Sequence, residues 1–140
     1  MKVLRSLSIV LVILLLASAA GAQQTKMKVA IPFDFYAGDQ FYPAGEYVLN
    51  SMSNNNAVIR IDGHPLTSAV YLSSNTCADT RPSHQTKLVF HRLGENYFLY
   101  QAWIAGNFDG RQFPLSRAET RMAQNGDKPE NIAVAARLMN

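Results

Sequence analysis

At 140 residues, 48% of them hydrophobic, the chain is long enough to fold as one domain that buries about two thirds of its unfolded surface. Its 13 Lys and Arg stand against 10 Asp and Glu, and two of the basic residues, Lys2 and Arg5, fall in an expected leader, so the mature charge drops to +1 and the electrostatic case for nucleic acid disappears. Cys77 is the single cysteine, which excludes an intramolecular disulfide and leaves the fold resting on its hydrophobic core.

Lys2 and Arg5 precede an apolar run, Ile9 to Leu16, and the small residues Ala20-Gly21-Ala22 follow. This is the pattern of a secretory signal peptide, with cleavage expected after Ala22. The apolar run is shorter than the roughly 20 residues a membrane span requires. Residues 1–22 are therefore read as a signal peptide, with an uncleaved anchor as the alternative, and residues 23–140 as a single β domain. The membrane is met only transiently, through the signal, and the address is periplasmic or extracellular. No cysteine stands at the new N-terminus to carry a lipid.

The first mature strand is expected over Met27 to Phe35, where Val29, Ile31, Phe33 and Phe35 alternate with Lys28, Ala30, Pro32 and Asp34. Pro32 has no N–H for a ladder, which places this strand at an edge or turns that position outward. Ala37-Gly38 and Pro43-Ala44-Gly45 are breaks, and Glu46 to Met52 is the next strand. The Asn-rich turn Ser53 to Asn56 returns the chain through Ala57 to Ile61. Asp62-Gly63-His64-Pro65 reads as another turn, before a strand over Leu66 to Leu72.

Ser73 to Gln85 is polar, contains Pro82 and has no apolar period, which predicts a long surface loop. Thr86 to Leu93 and Asn96 to Ile104 form the clearest hairpin, turned at Gly94-Glu95. Both of its strands are apolar on both faces: Leu88 and Phe90 oppose Val89 and Leu93, while Tyr97, Leu99 and Trp103 oppose Phe98, Tyr100 and Ile104. Such strands belong at the centre of a sheet covered on both sides. Ala105 to Pro114 is Gly-rich and reads as irregular. Ser116 and Glu119 have the spacing of a capping box, so a helix is expected from Arg117 to Gln124, with Leu115, Ala118 and Met122 on its apolar stripe and Gly126 as its stop. Asn131 to Leu138 reads as a closing strand, with a helix as the alternative. The expected fold is mainly β, an antiparallel sandwich or small barrel of about 7–8 strands with one short C-terminal helix.

The segments FDFYAG, PAGEY, LVFHRLGENYFLYQAW and SRAE resemble a family of small exported bacterial proteins whose function is not established. The resemblance covers most of the mature chain and implies family membership and export. It carries over no catalytic residue, because the segments are turn and core residues.

Candidate chemistry is sparse. Cys77, Asp79, His84 and His91 are ligand types for zinc, but no CxxC, HxH or HExxH spacing occurs, so no metal and no cofactor is assigned. No GxSxG marks a nucleophile; Ser83 and His84 are neighbours in sequence only. Asp34 and Glu46 could pair as carboxylates across the first hairpin. Arg111, Arg117 and Arg121 form the densest basic group, with Arg117 and Arg121 at i, i+4 near a helix start, which suits an anion. Tyr36, Phe41, Tyr42, Tyr97, Tyr100 and Trp103 could line a ligand groove or a sugar-stacking surface, Tyr97, Tyr100 and Trp103 foremost, though most are more simply core residues. The leading expectation is a non-catalytic exported domain that binds an envelope partner or a small apolar or sugar ligand through its sheet face or barrel mouth. The alternatives are a small secreted hydrolase using His84 or His91 and an anion-binding module at Arg111, Arg117 and Arg121. A concave apolar cavity with converging polar groups would favour binding.

Overall fold

A computed structural model of the chain describes residues 24–52, 55–64 and 69–139. The signal segment, the first three residues of the strand expected over Leu66 to Leu72 and the tip of the Asn-rich turn lie outside the described residues; the remainder of that strand is observed as Val70–Ser73. Among the described residues the molecule is mainly β with one helix: β1 (Lys26–Ile31), β2 (Phe35–Ala37), β3 (Gln40–Tyr42), β4 (Gly45–Ser51), β5 (Val58–His64), β6 (Val70–Ser73), β7 (Asn75–Ala78), β8 (Lys87–Leu93), β9 (Asn96–Trp103), β10 (Asp109–Gln112), α1 (Arg117–Gln124) and β11 (Glu130–Met139). Eleven strands replace the expected 7–8, in one curled open sheet, a half-barrel, ordered β3-β2-β9-β8-β11-β1-β4-β5-β6, with β10 on β9 and β7 on β10.

Pro32 does not push the first strand to an edge. The strand instead stops at Ile31, and β1 lies inside the sheet, antiparallel to both β11 and β4. Beyond Pro32 the chain crosses the end of the half-barrel and re-enters as β2, which pairs parallel to β9 through Tyr36 and Phe98. Inward residues of both halves, among them Met27, Val29, Ile31, Phe35, Tyr47, Leu49, Ile61, Leu88, Phe90 and Leu99, form one core.

Asp62-Gly63 is not a turn. β5 runs through it to His64, paired with β4 from Ile59–Ser51 to His64–Glu46. Gly63 is glycine because the neighbouring strand approaches closely: a Cβ there would stand 2.5 Å from the Glu46 carbonyl oxygen and 2.7 Å from Tyr47 Cδ1. Asp62 is held outside the turn role as well, by Arg60 Nε at 3.0 Å and Asn50 Nδ2 at 2.9 Å.

Two more strands occupy stretches that read as loop. β7 lies in the polar segment and β10 in the Gly-rich one, and they pair with each other from Asp109–Ala78 to Gln112–Asn75. β10 also pairs with β9, where a Cβ at Gly110 would stand 2.7 Å from Trp103 Cδ2, so the indole packs against β10's bare backbone.

The hairpin β8–β9 is central, as expected, and carries a bulge. Val89 pairs with Gln101 and Phe90 with Leu99, so Tyr100 is an extra residue in β9. The bulge reverses the side-chain parity beyond it. Trp103 moves to the outer face with Phe98, while Ala102 and Ile104 turn to the core, the reverse of the strict alternation expected. The Tyr100 carbonyl accepts the Phe113 N–H at 2.8 Å.

Helix α1 begins where the sequence places it. Ser116 Oγ accepts the Glu119 N–H at 3.0 Å, and Gly126, at φ 92°, ends the helix with its own N–H on Ala123 O and the Asp127 N–H on Met122 O, a Schellman closure. Its packing differs from expectation. Leu115 is exposed, and the buried helix residue is Glu119, whose carboxylate turns to His91 on the sheet.

Candidate functional site

The strands that enclose the core do so differently at their two ends. Where β1 ends, β4 begins and β9 begins, the rings of Phe33, Phe35, Tyr42, Tyr47, Phe90 and Tyr97 fill the interior. Phe33 stacks on Tyr97 at 3.9 Å between centroids, and Phe35 meets Tyr47 and Phe90 edge to face at 5.3 and 5.4 Å. Backbone groups here are tied by side chains: Asp34 Oδ1 accepts the Ala44 N–H at 2.8 Å, and Tyr47 OH donates to Pro43 O at 2.6 Å. Desolvation in this cluster, with Tyr47 beside it, pushes the Tyr42 phenol up from 10.0 to about 12.

At the other end, where β1 begins, β4 ends and β9 ends, the interior is a cavity of about 340 Å³. Met27, Leu49, Ile59, Ala102, Ile104 and Phe113 give it an apolar wall, and Ser51, Asn55, Asn56, Thr76, Asp109 and Arg111 stand around the rim. Its size is at the small end of the roughly 300–1,000 Å³ of ligand pockets, and its make-up, apolar wall with few polar groups, is the usual one.

The rim is set by a joint in the chain. β6 pairs with β5 at one edge of the sheet, β7 pairs with β10 at the other, and a single residue, Ser74, separates them. The segment 70–78 thus bridges the two edges. Ser74 is buried: its N–H donates to Ala57 O at 2.8 Å and its hydroxyl to Asn56 O at 2.7 Å. Arg111 clamps the joint from β10, with Nε on Ser74 Oγ at 3.1 Å, Nη2 on Ser74 O at 2.6 Å and Nη1 on Thr76 Oγ1 at 2.6 Å. Asn56, at φ 55°, turns its side chain to Ser51. Cys77 follows on β7, where burial pushes its thiol up, and that rise is opposed by the Gly110 backbone and by Arg111.

The residues singled out in the sequence are dispersed. Tyr97 lies in the filled end against Phe33. Tyr100, on the bulge, stacks on His91 at 3.7 Å on the outer face. Trp103 is buried on the outer face farther along, its Nε1 donating to Gln101 Oε1 at 3.0 Å. Of the three arginines, Arg111 alone borders the cavity. Arg117 is 89% exposed and paired with Asp39 at 3.6 Å, and Arg121 Nε reaches the Arg117 carbonyl at 3.4 Å.

His84 is exposed in a shallow groove with Asp79, Arg81 and Lys87, and the neighbouring Ser83 hydroxyl donates to Gln85 O at 2.7 Å. His91 is buried against Glu119 and Tyr100, so its recorded partners are a carboxylate and a ring. Asp34 and Glu46 are engaged separately, the former by Ala44 and the latter by Lys28 at 3.2 Å. Among the described residues no three His, Cys, Asp or Glu side chains converge as metal ligands. Sequence reasoning missed Ser51, Asn56, Ser74 and Thr76. The one available signal was the density of Ser, Thr and Asn between residues 50 and 76, read above as turn chemistry. No family model, curated protein or solved structure matches the chain.

Proposed function

We propose that this protein is an exported, non-catalytic β domain that binds a small, mainly apolar ligand in the open end of its half-barrel. The observation that carries the reading is the contrast within one interior: aromatic rings fill one end, while about 340 Å³ with an aliphatic wall and a polar rim stays open at the other. An apolar ligand is favoured over a sugar because sugar sites use exposed rings for stacking, whereas Tyr97, Tyr100 and Trp103 lie elsewhere and Phe113, the ring in the wall, is 2% exposed. Export is supported by the charged start, apolar run and small-residue boundary of residues 1–22.

Native mass spectrometry of the protein purified from the exported fraction tests both parts. The expected species lacks residues 1–22 and carries a bound small molecule. That molecule is lost in Ala102→Leu, which adds side-chain volume inside the cavity. An apo protein that also fails to take up aliphatic probes would overturn the binding reading, and a full-length stable product would overturn the cleavage.

A further inference from the structure

Resting on that reading, we infer that the ligand of the open end is an aliphatic carboxylate, its carboxyl group held by Arg111 and its chain lying along Met27, Leu49, Ile59 and Ile104. The inference starts from a cation without an ion-pair partner among the described residues. Arg111 is half-buried in the cavity wall, and its recorded partners, Ser74 Oγ, Ser74 O and Thr76 Oγ1, are all neutral oxygens. Among the described residues it forms no ion pair with a carboxylate. A guanidinium carries five N–H donors and three are used here, so two remain for a ligand.

A partly desolvated cation beside an apolar wall is stabilised by an anion, and the planar fork of Arg fits a carboxylate with two parallel hydrogen bonds. The clamp on Ser74 and Thr76 also holds the guanidinium in place before a ligand arrives, which lowers the entropy lost on binding. Asp109 sharpens the assignment. It borders the same cavity from β10, two residues before Arg111, and is exposed. Its negative charge opposes a doubly charged phosphate more than a singly charged carboxylate. The aliphatic wall then decides what the carboxylate is attached to: a hydrocarbon chain, kept short by the cavity's volume.

Calorimetric titration of the exported protein with octanoate, octanol and octylamine tests this. Octanoate is expected to bind about tenfold more tightly than octanol, since hydrogen bonds to a charged group outweigh neutral ones, and octylamine more weakly than either. Asp109→Asn should tighten octanoate about threefold relative to octanol, because the anion alone feels the lost charge repulsion. Arg111→Lys should remove most of the preference for octanoate. Should that variant lose its fold with the clamp, Asp109→Asn still decides. Octanoate and octanol binding equally, both lost in Ala102→Leu, would overturn the carboxylate while leaving the cavity reading intact. Failure of all three probes to bind would overturn the cavity reading and the inference with it.

Discussion

β1, β4, β5 and β9 each contribute one half of their length to a packed end and the other half to an open one. At the packed end Phe90 is fully buried among Phe33 and Phe35, and Asp34, Pro43 and Tyr47 lock the turns around it. The open end has aliphatic residues facing unfilled space and a rim held by hydrogen bonds rather than by packing. Stability in a small domain is a narrow surplus, so a protein that leaves space at one end must concentrate dispersion and apolar burial at the other. Rings thus fill the packed end, while the open cavity is walled mainly by aliphatic side chains, with Phe113 as its one ring.

Truncating one residue at each end separates the two most strongly. Phe90→Ala should lower stability by about 3–5 kcal/mol in denaturant unfolding, while Ile104→Ala, half-buried beside existing space, should cost less than about 2 kcal/mol. The opposite order would remove the distinction. Gly63→Ala, which forces a Cβ onto the Glu46 carbonyl at the packed end, should cost about 1–3 kcal/mol by the same measurement. Glu119→Ala leaves buried His91 without its carboxylate and should cost about 1–3 kcal/mol, whereas Arg117→Ala on the same helix should stay within about 0.5 kcal/mol.

The packed end should also respond to alkali. Tyr42 is raised to about 12 against an unfolded value of 10.0, so its contribution is complete below pH 10.0 and is lost as pH rises from there toward about 12. Phenolate absorbance followed alongside unfolding checks this, and Tyr42→Phe should flatten the profile in that window. An equally small effect is expected on β7 beside the rim, where Cys77→Ser should change stability by less than about 0.5 kcal/mol in denaturant unfolding.

Much of the scaffold was legible because it follows side-chain period. The β8–β9 hairpin, β11 and the ends of α1 lie where alternation, Gly94 and the Ser116 and Gly126 signals place them. β7 and β10 were not legible, since Asn75 to Ala78 and Asp109 to Gln112 pair through backbone groups and carry no apolar alternation. The Asp62-Gly63 pair has the chemistry of a turn, but the approach of Glu46 and Tyr47, far away in sequence, makes it a strand. A single bulge at Tyr100 misplaced Trp103, because parity cannot be carried past an inserted residue. Of the proposed ligand residues, Arg111 alone borders the cavity, for the cavity draws its lining from strands that meet only once the sheet has curled.

β11, the last of the described elements, lies between β1 and β8. Lys26 pairs with Met139 on one side of it, and Arg92 pairs with Glu130 on the other. The meander β1-β4-β5-β6 and the group around β8 and β9 therefore share no strand boundary of their own along the sheet path until the ten residues of β11 are in place. Each half alone would present core side chains to water and an unpaired strand edge. The contacts that join them span nearly the whole described chain, so the loop-closure entropy comes due before most of the core can form. Folding should accordingly be slow for a domain of this size and closely cooperative. A chain cut before Glu130 would remain aggregation-prone with all of its cavity residues still present.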